Sequence, residues 1–371
     1  MSITQAYRFS NLDGLRFIAA TLVVINHTEQ ISDILGLDSF IGYRGVEQIG
    51  KFGVMLFFTL SGFLITYLLL KEKSLTGTIN IKAFYIRRIL RIWPLYILII
   101  LLAFFAFHNI PLLDLRSGDK GIYFDNIGLK LLFYLLMLPN LVLLVFGPVP
   151  FASQTWSIGS EEQFYLIWPI LLKRINISVL SLLLVIISYH LFLYIFQNYV
   201  RSNIYREYCV ALMQTVPLDL MALGGIAAVL VYTKSKIYDS INLILSNNLV
   251  QASFLIALSL LLVTGYRFTY FNHFLYGLLL SALVFILCRE QKNTILESRL
   301  FSFGGKISYG IYMWHAPVVT LVLKSLLFFG WYSKVFAYPI IVCLTLFVSW
   351  LSFRFIESPF LNLKDRFTIV R

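Results

Sequence analysis

Two side chains of this chain, Arg16 and His27, have types and a spacing that could support chemistry. They lie eleven positions apart in the first long apolar stretch, residues 12–31. At about 100° per residue, eleven steps return an α-helix to within about 20° of its starting face, with an axial rise of about 16 Å. An ionisable ring at membrane depth is costly unless it lines a polar cavity or has a partner, which favours a functional histidine. A histidine near the helix end that only hydrogen-bonds a neighbouring helix explains the pair equally well.

The composition indicates that the helix carrying this pair belongs to a polytopic membrane protein. Of the 371 residues, 59% are hydrophobic and 13% are charged, and the mean hydropathy is +0.81. Soluble domains have about 25% charged residues. Apolar runs of membrane-spanning length, about 17 to 25 residues, begin near Leu12, Phe52, Ile92, Leu129, Phe164, Ile177, Val216, Leu249, Phe271, Ile307 and Val335. We expect an all-α bundle of about ten transmembrane helices, forming one membrane-embedded domain over residues 1–371.

The net charge of +12 is explained by membrane topology without invoking nucleic acid. Cytosolic loops carry an excess of Lys and Arg. If the amino terminus is cytosolic, the basic stretches at residues 71–91, 173–174, 234–236, 289–306 and 364–371 all face inward. We therefore expect a multi-pass plasma-membrane protein with both termini in the cytosol, and membrane lipids but no nucleic acid as partners. Its three cysteines have neither disulfide nor metal-ligand spacing, so no metal is expected.

One apolar run should not cross the membrane completely, because residues 87–91 and 173–174 are both expected in the cytosol. The candidates are residues 129–146 and residues 164–172. Pro139, Asn140, Gly147, Pro148 and Pro150 make this region polar and rich in helix breakers. A broken or re-entrant segment is tolerated only where it is buried in protein or lines a cavity. We expect such a segment here.

The third apolar helix begins with three arginines, Arg87, Arg88 and Arg91. Arg88 and Arg91 share a face at i, i+3, and Arg87 lies at i, i+4 from Arg91. The guanidinium fork suits phosphate oxygens. A basic cluster at a cytosolic helix end also orients the helix and contacts anionic lipid, and taken alone this interpretation is the stronger.

Two further segments combine small or polar residues with apolar ones. Residues 53–63 contain Gly53, Ser61 and Gly62, which permit close helix contact and favour a packing role. Residues 156–165 place Glu161 and Glu162 at the start of an apolar helix. A buried cation or imidazole could use one of these carboxylates, although a cap of the helix amino terminus is the simpler interpretation.

The last apolar helices carry two more polar patterns. Ser308, Tyr312 and His315 lie along one side of a predicted helix. Arg354 and Glu357 are spaced for an i, i+3 ion pair. By itself, each pattern is a common structural feature of helices and indicates no function.

Taken in this order, the segments resemble the acyltransferase 3 family of integral membrane O-acyltransferases. The resemblance covers most of the chain. It rests on Asn11-Leu-Asp-Gly-Leu-Arg16 followed by ten residues and His27, on residues 53–63, Arg88-Ile-Leu-Arg91, residues 156–165, residues 308–315 and Arg354-Phe-Ile-Glu-Ser-Pro359. One departure is Ile158, which stands where the family's Trp-Ser-Leu-x-x-Glu motif has leucine. The chain looks like the stand-alone form, without an appended soluble domain.

The resemblance implies an enzyme that uses cytosolic acyl-CoA to modify a hydroxyl of an envelope or exported carbohydrate or glycolipid. Acetyl-CoA is the expected donor, as a co-substrate, and no permanently bound cofactor is expected. Arg16 and His27 match the family's essential arginine and histidine, and Arg88 and Arg91 match its paired arginines. We expect the CoA phosphates on Arg88, Arg91 and Arg87.

His27 is then expected to act as general base on the acceptor hydroxyl, or to accept the acyl group itself. A carboxylate could orient its imidazole. Glu29 is two positions away on the helix and cannot share the His27 face closely, so Glu161 is the expected partner. The competing class is a lipid or polysaccharide transporter or flippase, in which the buried polar residues line a route and no covalent chemistry occurs.

Overall fold

The computed structural model describes residues 9–115, 125–200, 204–268, 272–289 and 295–367, and in this part of the chain the fold consists of helices and their connections, without a β-strand. Parts of two predicted basic stretches, residues 290–294 and 368–371, and the predicted start at Phe271 lie outside these ranges. The helices are α1 (Ser10–Ile34), α2 (Arg44–Thr76), α3 (Ile81–Phe105), α4 (Ile127–Leu135), α5 (Pro139–Phe146), α6 (Trp156–Arg174), α7 (Val179–Tyr199), α8 (Ile204–Thr215), α9 (Leu218–Thr233), α10 (Lys236–Leu245), α11 (Asn248–Thr264), α12 (Asn272–Arg289), α13 (Arg299–Lys306), α14 (Ser308–Phe328), α15 (Lys334–Ser352) and α16 (Ser358–Lys364).

The lengths and composition of these helices confirm an all-α polytopic bundle. Six helical stretches are long and apolar enough to cross a membrane, and a seventh is added if α10 and α11, bent by 79° at their junction, form one span. Helices α1, α6 and α12 have 25, 19 and 18 residues. At 1.5 Å per residue, each rises about 27 Å or more, close to the hydrocarbon thickness. Counted with the seven, they give ten helical stretches of membrane-spanning length among the described residues, of which the seven are also apolar enough to cross.

The break expected between residues 129 and 172 falls in the first of the two candidate segments. Helices α4 and α5 have nine and eight residues, and between them Met137 has a left-handed φ of 59°. Their rises of about 13 Å and 12 Å are too short for either to span a bilayer. Helix α6, by contrast, runs without interruption over 19 residues.

The centre of the bundle is formed by α2, which packs between α1 and α9. The backbones approach closely because glycines face them. A Cβ on Gly62 would collide with the backbone of Met221, and a Cβ on Gly224 would collide with the Thr59 carbonyl. Small residues allow this approach between membrane helices. The packing role predicted for residues 53–63 is therefore confirmed.

A tight connection between α2 and α3 sets the position of the arginine cluster. Gly77 ends α2 in the left-handed region with φ of 76°, where a side chain would be strained. Asn80 then caps α3, its side-chain oxygen accepting from the Ala83 N–H at 3.0 Å. The buried Glu72 carboxylate accepts from the Asn80 N–H at 2.6 Å. The start of α3 is thus held against the end of α2.

Candidate active site

Two cavities lie at different depths along α1. We call the first the arginine cavity, with a volume of about 540 Å³, because Arg16, Arg88 and Arg91 line it. We call the second the histidine cavity, with a volume of about 490 Å³, because His27 lines it. The two members of the α1 pair therefore share one stripe of the helix but line different cavities.

The arginine cavity carries a surplus of positive charge. Its charged lining residues are five cations and three carboxylates: Arg16, Arg88, Arg91, Lys306 and Lys364 against Asp13, Glu161 and Glu357. Groups from five helices and the turn before α16 bring these charges together. An anion of a size suited to this volume would be attracted to it.

Within this cavity the three arginines differ in how firmly they are held. Arg16 is partly buried and forms an ion pair with Asp13 at 3.1 Å. Arg88 lies over the ring of Tyr165, 5.1 Å from its centroid, and its Nε has no hydrogen-bond partner among the described residues. Arg91 is exposed. Arg88 therefore offers an oriented, partly buried guanidinium with an unused donor.

Arg87 is not among the residues that line the arginine cavity. Its guanidinium forms an ion pair with the buried Glu72 at 3.1 Å and donates to the Phe367 carbonyl at 2.8 Å. The Glu72 carboxylate also accepts from the N–H of Asn80, the residue that caps α3. The ion pair of Arg87 with Glu72 is therefore a second contact that holds the start of α3 against the end of α2. The structure separates it from the two arginines with which it was grouped.

Glu161 lines the arginine cavity, and its carboxylate accepts a hydrogen bond from the Tyr165 hydroxyl at 2.8 Å. The imidazole of His27 is bonded to a different group, so the expected pairing of Glu161 with His27 is wrong. The other candidate, Glu29, is buried and accepts from the Phe40 N–H at 2.5 Å and from Lys334 at 3.1 Å. It ties the end of α1 to the start of α15.

The partner of His27 is a second histidine, His315 on α14. The distance from His27 Nδ1 to His315 Nε2 is 2.5 Å, and the ring centroids are 4.8 Å apart. His315 is fully buried, and its Nδ1 lies 2.7 Å from the Tyr312 carbonyl oxygen. Helix α14 can supply this ring because it packs directly against α1.

In the described part of the chain, Tyr312 alone lines both cavities. Its hydroxyl donates to the Gln154 carbonyl at 2.6 Å and accepts from the Ser157 hydroxyl, the two oxygens being 2.7 Å apart. These bonds join α14 to the start of α6. The phenol ring therefore forms part of the wall between the cationic cavity and the histidine pair.

Comparison with known proteins identifies the family of the chain. The family model of the acyltransferase 3 domain matches residues 9–354. The chain belongs to the acyltransferase 3 family. It is thus an acyltransferase by family, and the family assigned by resemblance is confirmed.

Among its relatives is the peptidoglycan O-acetyltransferase OatA of Listeria monocytogenes, 29% identical over 94% of this chain and 55% of the relative. A putative O-acetyltransferase of Staphylococcus aureus strain COL is 29% identical over 94% of this chain and 56% of the relative. A putative peptidoglycan O-acetyltransferase of Bacillus subtilis, YrhL, is 27% identical over 96% and 55%. The chain spans about half the length of these curated relatives. No solved structure matches it.

In this acyltransferase domain, four of the six predicted site residues converge on the arginine cavity, namely Arg16, Arg88, Arg91 and Glu161. His27 lines the histidine cavity, and Arg87 lines neither cavity. The prediction of site residues missed His315 as the partner of His27. Its only sequence signal was the helical spacing that places Tyr312 and His315 on one side of α14.

The i, i+3 ion pair predicted for Arg354 and Glu357 is wrong. Residues Phe353–Glu357 form a π-helical turn, in which side chains three apart are no longer aligned as in an α-helix. Arg354 is exposed over the ring of Trp350, at 5.8 Å from its centroid. Glu357 is buried, accepts from the Ser352 hydroxyl at 3.3 Å and lines the arginine cavity of the domain.

Proposed function

We propose that the protein transfers an acetyl group from acyl-CoA to a hydroxyl of a cell-envelope carbohydrate. The observation that carries this proposal is that Tyr312 lines both cavities, one containing Arg16, Arg88 and Arg91 and the other containing His27, whose ring is hydrogen-bonded to the buried His315. The relatives are named as O-acetyltransferases, in part as peptidoglycan O-acetyltransferases, and these names support the acyl group and the class of acceptor.

The arginine cavity is assigned to the cytosolic side of the plasma membrane. Its basic lining residues and the neighbouring basic stretches then follow the excess of Lys and Arg in cytosolic segments. The amino terminus of α1 and the end of α16 lie on that side. The histidine cavity also has two cations, Lys51 and Arg267, so charge alone does not choose between the cavities. Acyl-CoA is a cytosolic metabolite with several phosphate charges, so in this proposal it enters the cationic cavity on the cytosolic side.

The donor is held by its phosphates. Arg88 and Arg91 bind the phosphate oxygens through charge-assisted hydrogen bonds, and Arg16 adds positive charge deeper in the cavity. Arg87 has no direct contact with the donor in this proposal, because its guanidinium is engaged by Glu72 and Phe367. It holds α3 in the position from which Arg88 and Arg91 act.

The thioester end of the donor reaches toward His27. The axial rise between Arg16 and His27, about 16 Å, is comparable to the length of a pantetheine arm. The two cavities meet at Tyr312, so the arm passes this side chain on its way to the histidine pair. The charged part of the donor stays in one cavity while its acyl group reacts at the edge of the other.

His27 then acts on the reaction in one of two ways. As general base, it takes the proton of the acceptor hydroxyl while that oxygen attacks the thioester carbonyl, the carbon–sulfur bond breaks and CoA leaves as a thiolate that is then protonated. As acyl acceptor, its ring nitrogen attacks the thioester carbonyl, the carbon–sulfur bond breaks and CoA leaves as a thiolate; the hydroxyl then attacks the acyl-imidazole, the carbon–nitrogen bond breaks, the neutral imidazole is restored and the hydroxyl proton neutralises the thiolate. Both routes require a neutral imidazole with an available lone pair.

The acceptor enters the histidine cavity. Besides His27, this cavity is lined by the amides of Asn26, Gln30 and Gln48 and by the indole of Trp156. Amides can bind hydroxyl groups as donors and acceptors, and a flat aromatic ring suits the apolar face of a sugar. No carboxylate lines this cavity in the described part of the chain.

Purified protein supplied with labelled acetyl-CoA tests the proposal. We expect labelling of peptidoglycan fragments, and release of more than one free CoA per protein molecule, only when both substrates are present. His27→Ala should abolish the transfer although the protein is made and inserted, whereas His108→Ala, remote from both cavities, should retain it. Transfer at the wild-type rate by His27→Ala would refute the catalytic assignment. Movement of an unmodified saccharide or lipid across the membrane without acyl-CoA would instead establish the transporter class.

A further inference from the structure

The histidine pair forms an ordered chain of hydrogen bonds that begins at a backbone carbonyl. The Tyr312 carbonyl oxygen can only accept, so the proton in the 2.7 Å contact belongs to His315 Nδ1. In a neutral His315, Nε2 then carries a lone pair and must accept. The proton in the 2.5 Å contact with His27 therefore belongs to His27 Nδ1.

The same reasoning fixes the second nitrogen of His27. When Nδ1 carries the proton of a neutral imidazole, Nε2 has the lone pair. No hydrogen bond to Nε2 is formed by the described residues, and the ring lines the histidine cavity. The nitrogen that can react is thus the one left without a hydrogen bond, on a ring that lines the histidine cavity.

The helices that hold the pair leave it little freedom. A Cβ on Gly305 would collide with the backbone of Asp13, and a Cβ on Gly304 would collide with the Phe17 ring, so α13 lies directly against the first half of α1. Helix α14 follows α13 after Ile307 and also packs on α1. A site built on rigid, closely packed helices holds a hydrogen-bond geometry more precisely than a loop does.

We propose that His315 is a positioning residue that holds His27 in the tautomer protonated at Nδ1 and directs its Nε2 toward the acceptor. This inference rests on the proposed acyl transfer and is the same whether His27 is a base or a nucleophile. When Nε2 takes the proton of the acceptor hydroxyl, the Nδ1 proton stays between the two rings, and His315 stabilises the imidazolium by accepting that hydrogen bond. The neutral ring of His315 thus has the role that a carboxylate has where it orients a functional histidine.

Two amide substitutions at position 315 separate positioning from packing. In His315→Gln, the amide oxygen can occupy the place of Nε2 and accept from His27. In His315→Asn, the amide reaches only the place of Nδ1, so it can contact the Tyr312 carbonyl but not His27. We expect His315→Asn to lower kcat about 100-fold or more, His315→Gln to restore at least one tenth of wild-type kcat, and both to keep the wild-type affinity for CoA. Equal kcat values for the two variants, or an unchanged kcat in His315→Asn, would overturn the proposal.

A measurement on the unsubstituted protein covers the possibility that variants at this buried position do not fold. Nitrogen-15 NMR of protein labelled only at histidine reports which ring nitrogen carries the proton, and loss of one signal set in His27→Ala assigns it. We expect Nδ1 of His27 to be protonated and Nε2 to be unprotonated, with a coupling across the hydrogen bond to His315 Nε2. A protonated Nε2 with a free Nδ1 would overturn the proposal. This spectrum does not depend on transfer activity, so it can fail or succeed independently of the proposed function.

Discussion

Substitution of Arg88 should weaken donor binding far more than substitution of its neighbour Arg87. Arg88 lines the arginine cavity, whereas Arg87 does not line it and is committed to Glu72 and the Phe367 carbonyl. A hydrogen bond to a charged group contributes about 1.5–3 kcal/mol. At 1.4 kcal/mol per factor of ten, Arg88→Gln should raise the Kd for CoA by a factor of about 10 to 150.

Arg87→Gln is the matched control, with the same residue type and the same change one position earlier. It removes one partner of an ion pair whose carboxylate, on Glu72, is only 2% exposed. Breaking a buried pair from one side is destabilising by about 3 kcal/mol, because the remaining charge is left without a partner. We therefore expect a lower unfolding temperature for Arg87→Gln, with a Kd for CoA close to that of the unsubstituted protein.

Calorimetric titration of CoA into protein reconstituted in nanodiscs measures the Kd, and thermal unfolding of the same samples measures stability. Raising the ionic strength should reduce the difference between Arg88→Gln and the unsubstituted protein only modestly, because salt screens a partly buried charge less than an exposed one. An unchanged Kd in Arg88→Gln would refute the assignment of the arginine cavity to the donor. Equal weakening of CoA binding by both variants, with no loss of stability in Arg87→Gln, would show that Arg87 binds the donor as Arg88 does and has no separate structural role.

Two further predictions concern the wall between the cavities and the centre of the bundle. Tyr312→Phe keeps the ring but removes the hydroxyl that bonds Ser157 and the Gln154 carbonyl, so we expect a loss of about 1–3 kcal/mol in unfolding free energy with an unchanged Kd for CoA. A stability equal to that of the unsubstituted protein would contradict it. Gly62→Ala places a Cβ against a backbone and should reduce the yield of monodisperse protein in size-exclusion chromatography, whereas Gly128→Ala, with open space around it, should not. Equal yields would show that the close approach of α2 and α9 is not required.

Most of the fold could be predicted from hydropathy and length, because a bilayer permits few solutions for an apolar chain of this kind. The limit of that method is visible in α1. Its 25 residues are sufficient to cross a membrane. Its polar residues, among them Asp13, Arg16 and Glu29, nevertheless make it too polar to be recognised as a membrane span from its composition. The helices that carry a membrane protein's polar site are those for which hydropathy is least informative. The broken segment at α4 and α5 was predictable from Pro139 and the polar residues around it, but only as one of two candidates.

The site could be predicted only as far as contacts within one helix determine it. The i, i+3 spacing of Arg88 and Arg91 correctly placed both in one cavity. The i, i+4 spacing of Arg87 and Arg91 gave an equally good reason to include Arg87, yet Glu72 on α2 forms an ion pair with it. Likewise, the partner of His27 lies 288 positions away in the chain. Helical periodicity states which residues share a face, and it contains no information on which helix covers that face.

The division of one helix stripe between two cavities has a consequence for the proposed reaction. Arg16 and His27 share a face of α1, but Tyr312 of α14 stands where their cavities meet, so a bound donor has its phosphates and its acyl group in different surroundings. Interactions with the phosphates are the same before and during transfer, and such uniform binding lowers KM without raising kcat. Interactions at His27 change as the proton moves, and these determine kcat. Substitutions at the arginine end should therefore act on KM for acyl-CoA and substitutions at the histidine end on kcat, because the residues that bind the donor and the residues that act on it do not touch each other.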